Sequence, residues 1–150
     1  MKIVLFSMPD SAPVIMHESA FHMPNLGLAS IGANVDEKND VSIIDLIRKR
    51  RKVRRYLTRA LLKIKPDLVG FSAMTWQYAT CVKLMKLTKT LLPGVKVVLG
   101  GYHASLMYEE IAAGEECQWI DFVIRGEGEE AFKRLVRALE GEDQITAIPS

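Results

Sequence analysis

The stretch Val97–Phe132, VVLGGYHASLMYEEIAAGEECQWIDFVIRGEGEEAF, decides how the rest of the chain is read. It opens on an apolar strand, Val97-Val98-Leu99, that stops at Gly100-Gly101. Two glycines at a strand end leave bare backbone against which something flat can lie, because no Cβ stands in the way. Tyr102-His103-Ala104-Ser105 follow and lead into a helical segment. A second apolar strand, Ile120–Ile124, then runs into Gly126-Glu127-Gly128-Glu129. Two strands thus end in glycine-containing loops. In an open α/β sheet ligands bind at the carboxyl ends of the strands, so this stretch supplies two walls of a site.

Outward from it the same alternation continues. Lys2–Ser7 reads as a strand buried on both faces. Met8–Pro24, with Pro9, Pro13 and Pro24, is a long loop of the kind that is usually functional or disordered. Asn25–Asp36 is a helix with Asn25 as N-cap and small residues on its apolar face. Asp40–Asp45 is a strand, and Arg48–Ile64 a basic helix stopped before Lys65-Pro66. Asp67–Ser72 is a strand, Trp76–Leu92 a helix, Val95–Leu99 a strand, Ser105–Ala113 a helix, and Glu127–Glu140 the last helix. Strands alternating with helices predict βαβ crossovers and a parallel sheet covered on both faces. The expected fold is a five-stranded, flavodoxin-like (Rossmann-like) three-layer α/β sandwich of strand order 2-1-3-4-5. Residues 1–140 form the domain, and the polar tail 141–150 reads as the start of a linker.

Composition narrows the function. The chain has 150 residues, a net charge of +2 and 25 % charged residues. That balance predicts no bulk attraction to nucleic acid or membrane. No apolar run reaches the roughly 18 residues that span a bilayer, and the first residues form a strand rather than a signal peptide. Cys81 and Cys117 lack metal-type spacing and suit a reduced, cytoplasmic chain. The basic run 48–55 reads as the solvated face of a helix whose Val53, Leu57, Leu61 and Ile64 face the sheet.

Several chemistries lack their residues. The first strand is followed by Ser7-Met8-Pro9-Asp10-Ser11-Ala12, without the glycine turn of a dinucleotide site, and Asp45 reads as a loop cap. The third strand ends in Phe71-Ser72, not in a phosphoacceptor aspartate. No P-loop or Ser–His–Asp spacing is present. The strand-end loops instead combine small residues, hydroxyls and amphipathic side chains: Ser7-Met8-Pro9, Ser72-Ala73-Met74-Thr75-Trp76, Gly100-Gly101-Tyr102-His103 and Gly126-Glu127-Gly128. Such a set suits a large flat organic cofactor with amide and phosphate decorations.

On these residues the chain resembles the N-terminal cobalamin-binding domain of class B radical S-adenosylmethionine (SAM) enzymes, a family of methyltransferases and the anaerobic magnesium-protoporphyrin monomethyl ester cyclase type. The matching pieces, in the family's order, are PNLGLA from Pro24, PDLVGFS from Pro66 with Thr75, VVLGGYHAS from Val97 and DFVIRGEGE from Asp121. The resemblance implies that Ser72 and Thr75 hydrogen-bond the cofactor's nucleotide tail. It implies that Gly100 and Gly101 open a slot for the benzimidazole, and that Gly126, Glu127 and Gly128 close the far wall. Tyr102 and His103 share the glycine-pair loop, where His103 orients the loop or touches the tail rather than ligating cobalt. Met74 or Trp76 covers the lower face of the ring, or Trp76 only packs at its helix start.

One departure matters. Cobalamin-dependent mutases carry D-x-H-x-x-G, whose histidine ligates cobalt. Around His17 the acid and glycine places hold Ile15 and Ala20, and around His22 they hold Ala20 and Asn25. Neither fits, so base-off binding without a histidine ligand is expected. The family's iron–sulfur cluster needs C-x-x-x-C-x-x-C, which two cysteines cannot supply. The expected role is therefore a cobalamin-binding module whose parent chain adds a radical SAM domain with SAM and an iron–sulfur cluster. Two alternatives stand beside it: a degenerate domain of the same fold without cofactor, and a flavodoxin-like flavin carrier.

Overall fold

Side chains alternate across each strand, and here both faces are apolar. In β1 (Lys2–Ser7) Val4 and Phe6 point to one side, Ile3 and Leu5 to the other. A strand apolar on both faces can be satisfied only between two helical layers. The computed structural model, which describes residues 1–9 and 25–143, has that arrangement. Beside β1 lie β2 (Asp40–Asp45) on one flank and β3 (Leu68–Ser72), β4 (Lys96–Gly100) and β5 (Phe122–Val123) on the other. All pairings are parallel and the order is 2-1-3-4-5.

One helical layer holds α1 (Leu26–Asn34) and α6 (Gly128–Leu139). Their Leu28, Phe132, Leu135 and Val136 pack on Ile3, Leu5, Leu68 and Val98. The other layer holds α2 (Val53–Ile64), α3 (Tyr78–Leu91), α4 (Tyr102–Leu106) and α5 (Tyr108–Ala113). There Leu57, Leu61, Leu84, Met85 and Ile111 cover Val4, Phe6, Val69, Phe71, Val97 and Leu99. Phe6 and Phe71 stack inside it at 5.4 Å between ring centroids.

Several boundaries differ from the sequence expectation, each for a local reason. The segment from Arg48 to Lys52 is not α-helical: a 3-10 turn spans Ile47–Lys52, with Lys49 at φ −119°. The sequence there is five consecutive cations, and the α-helix starts only where the apolar stripe begins at Val53. The helix expected over Ser105–Ala113 is two short helices broken at Met107 (φ −119°, ψ 28°), and the first begins at Tyr102. β5 is shorter than Ile120–Ile124 because the Asp121 carboxylate itself accepts the Val97 N–H at 2.7 Å. The last helix starts at Gly128 rather than Glu127. Asn25 caps α1 as expected, its Oδ1 accepting the Leu28 N–H at 3.0 Å. The far end of α6 closes at Gly141 (φ +79°), where the Glu142 N–H reaches the Arg137 carbonyl, a Schellman closure. Residues 10–24, with His17 and His22 and most of the expected loop, and residues 144–150 lie outside the described residues.

Candidate functional site

Register places the site. Across the sheet Leu5, Gly70 and Val98 are paired in one row, and Ser7, Ser72 and Gly100 in the row two residues nearer the carboxyl edge. By the period of two, both rows face the α1/α6 layer. A cavity of about 270 Å³ lies between these rows and the amino-terminal halves of α1 and α6. It sits just below the roughly 300–1,000 Å³ range of small-molecule pockets, sized for a flat bicyclic ring rather than a macrocycle.

Glycines make the space. A Cβ on Gly70 would lie 2.6 Å from Leu5 Cδ2 and project toward Phe132, so any side chain there would fill the floor. A Cβ on Gly128 would approach Ile31 Cδ1 to 3.1 Å. Gly100 differs: a Cβ there meets only the Ile124 carbonyl, at 4.0 Å. Gly101 serves the backbone. Its φ is +93°, and a Cβ would stand 2.8 Å from both the N and O of Ala73. Behind that close approach the Ala73 N–H donates to the Gly100 carbonyl and the His103 N–H to the Ala73 carbonyl, both at 3.1 Å.

Ser105 joins the two glycine loops. Its hydroxyl donates to the Gly101 carbonyl at 3.0 Å and accepts the Gly126 N–H at 2.9 Å. Gly126, at φ +67°, then turns the chain into α6. Across the cavity the Ser30 hydroxyl donates to Glu129 Oε1 at 2.8 Å, tying α1 to α6. That bond, with backbone N–H groups at the start of α6, lowers the Glu129 pKa. Asp45 is a cap: its Oδ1 accepts from the Ser7 hydroxyl at 2.7 Å and from the Ile47 N–H at 2.9 Å.

The sequence-derived residues divide into three groups. Ser72, Gly100, Gly101, Gly126, Glu127 and Gly128 line the cavity. Met74, Thr75, Trp76 and Tyr102 stand exposed on the carboxyl edge of the sheet, outside it. His103 is buried on the opposite layer, its ring 4.0 Å from that of Tyr78. Burial lowers the His103 pKa, against an opposing pull from Glu110. Burial also pushes the Tyr78 hydroxyl up to about 12. Among the described residues His103 Nδ1 and Tyr78 Oη have no hydrogen-bond partner. Sequence reading passed over Gly70 and the apolar wall of Leu28, Ile31 and Phe132. The available signal was a glycine inside an otherwise apolar strand, which marks close approach. Among the described residues no group of three or more His, Cys, Asp or Glu is placed to hold a metal ion, and no helix is long and apolar enough to cross a membrane.

The cavity is apolar within and is entered past hydroxyls and glycines. Residues 12–136 match the family model of the B12 binding domain. An uncharacterized methyltransferase of Pyrococcus horikoshii is 34 % identical over 148 residues, covering 99 % of this chain and 31 % of that protein. The anaerobic magnesium-protoporphyrin IX monomethyl ester cyclase of Cereibacter sphaeroides is 36 % identical over 87 residues, covering 58 % of this chain and 14 % of that protein. The chain thus spans less than a third of the length of these relatives. The radical SAM methyltransferase TsrM of Kitasatospora setae has the same fold. Its TM-score is 0.77 with tryptophan and a SAM analog bound, and 0.73 with cobalamin and a [4Fe-4S] cluster bound. Each covers 99 % of this chain at 18 % identity, and 27 % and 28 % of that chain respectively. The glycine-floored cavity at the carboxyl edge of a 2-1-3-4-5 sheet, together with a family match over most of its length, places this chain in the B12-binding domain family.

Proposed function

We propose that the cavity takes the nucleotide tail of a cobalamin held base-off, while the carboxyl edge of the sheet carries the corrin for a radical SAM domain in the same polypeptide. The observation that carries this reading is the cavity floor: Gly70 and Gly100 are the only places on the two rows where a missing side chain opens the α1/α6 layer. In this reading Ser72 meets the polar part of the tail at the outer row. Gly126, Glu127 and Gly128 form the far wall, and Ser105 holds both glycine loops in place. Met74, Thr75, Trp76 and Tyr102 present the edge to the ring, and His103 sets the loop from the layer behind. What the cofactor supplies when bound is cobalt-centred methyl-transfer or radical chemistry; this chain supplies position and exclusion of water. SAM and the iron–sulfur cluster belong to the rest of the parent chain, whose reaction is of the methyltransferase or cyclase type.

A degenerate domain would have its cavity plugged by Met74, Trp76 or Tyr102. Those side chains are 37 %, 47 % and 65 % exposed, and none lines the cavity. The test is a visible-absorption titration with hydroxocobalamin, followed by gel filtration to remove free cofactor. Wild-type protein should keep its colour, with band positions of a base-off species. Gly100→Val should lose the colour with an unchanged melting temperature, because its side chain enters open space. A folded wild-type chain that elutes colourless would overturn the proposal. Spectral change on His17→Ala or His22→Ala would overturn the absence of a histidine ligand.

A further inference from the structure

Resting on that reading, we infer that the cavity also selects the chemical kind of lower base, accepting a benzimidazole and discriminating against a purine of the same shape. Polarity is layered with depth. The inner row is Leu5, Gly70 and Val98, and the walls over it are Leu28, Ile31 and Phe132. Leu5, Val98, Leu28 and Phe132 are each no more than 3 % exposed. None of these six offers a side-chain donor or acceptor. The strand N–H and C=O groups of the inner row lie within the parallel ladders that join β1 to β2, β1 to β3 and β3 to β4. The polar lining residues are all nearer the rim. Ser72 lies on the outer row, Glu127 is exposed, and Glu129 is committed to Ser30.

A ring that enters this space puts its far edge against hydrocarbon alone. For dimethylbenzimidazole that edge carries two methyl groups, which gain from leaving water. For adenine it carries ring nitrogens and an exocyclic amine, which lose their water and find no partner. Shape does not separate the two bases, since both are flat bicycles; the discrimination comes from desolvation. An apolar pocket rejects a ligand that adds one polar group by about 10- to 100-fold, and that is the ratio expected here.

The experiment compares three corrinoids on wild-type protein by absorption titration: hydroxocobalamin, the cobamide whose lower base is adenine, and cobinamide, which has no nucleotide. Hydroxocobalamin should bind about 10- to 100-fold more tightly than the adenine cobamide, with cobinamide weaker than hydroxocobalamin. Equal or tighter binding of the adenine cobamide, with cobinamide still weak, would overturn the selectivity and leave the tail in the cavity. Cobinamide binding as tightly as hydroxocobalamin would overturn the tail-binding reading and the selectivity with it, as would no binding of any of the three.

Discussion

At the residue scale, neighbouring glycines serve different ends. Gly100 faces open cavity, whereas Gly101 is fixed by its own backbone, with φ +93° and Ala73 N and O where a Cβ would stand. Gly101→Ala should therefore destabilise the apo fold itself, by at least about 1–3 kcal/mol, read as a lowered urea midpoint, in contrast to the neutral Gly100→Val. His103 gives a second residue-level expectation. Burial holds its pKa below the ordinary value of 6.5, so the folded state resists a proton that the unfolded state accepts. The neutral ring's contribution is complete above pH 6.5 and is lost as pH falls from there through the lowered folded value. His103→Phe keeps a ring against Tyr78 and cannot titrate. Urea midpoints measured from pH 7.5 down to 5 should fall less in the variant than in wild type; parallel curves would show that His103 does not carry this dependence.

At the scale of elements, α2 is built against its own electrostatics. Arg54 and Arg55 occupy its first turn, which has no acidic residue, at the end where the helix dipole is positive. Arg55, Arg59 and Lys63 then repeat cations at i, i+4. The helix persists because Leu57 and Leu61 are fully buried against the sheet. Arg55→Glu replaces a repulsive pair with an attractive one and favours the dipole, so it should stabilise the chain by about 1 kcal/mol. The rise in melting temperature should shrink in 1 M salt, where screening acts within about 3 Å. A rise independent of salt would assign the effect to something other than charge.

At the scale of the whole molecule, a ligand bound only by the folded state adds to its stability. Hydroxocobalamin at 100 times its dissociation constant should add about 2.7 kcal/mol, seen as a concentration-dependent rise in melting temperature that Gly100→Val abolishes. The layer architecture and strand order were legible in the sequence, because strands apolar on both faces and separated by helical segments have few ways to bury themselves. The glycine loops were legible too, since glycine after a strand marks either a turn, as at Gly101 and Gly126, or open space, as at Gly100. Less legible was which face of the sheet those loops serve. Positions 70, 72, 98 and 100 become one surface only when β3 and β4 pair in register, and a sequence does not display pairing between strands. For the same reason Gly70 read as an ordinary strand residue, although Leu5, 65 positions earlier, is what its missing Cβ spares. His103 sits one residue from Tyr102 and two from Gly101, yet the first turn of α4 sends it into the core and leaves Tyr102 outside. The sequence by itself determined the elements, their order and the chemistry of the strand-end loops, because these depend on local backbone preference and periodicity. Only the tertiary structure decided that an apolar inner row lies beneath a polar outer one, because depth in a cavity is a relation among strands and helices distant along the chain.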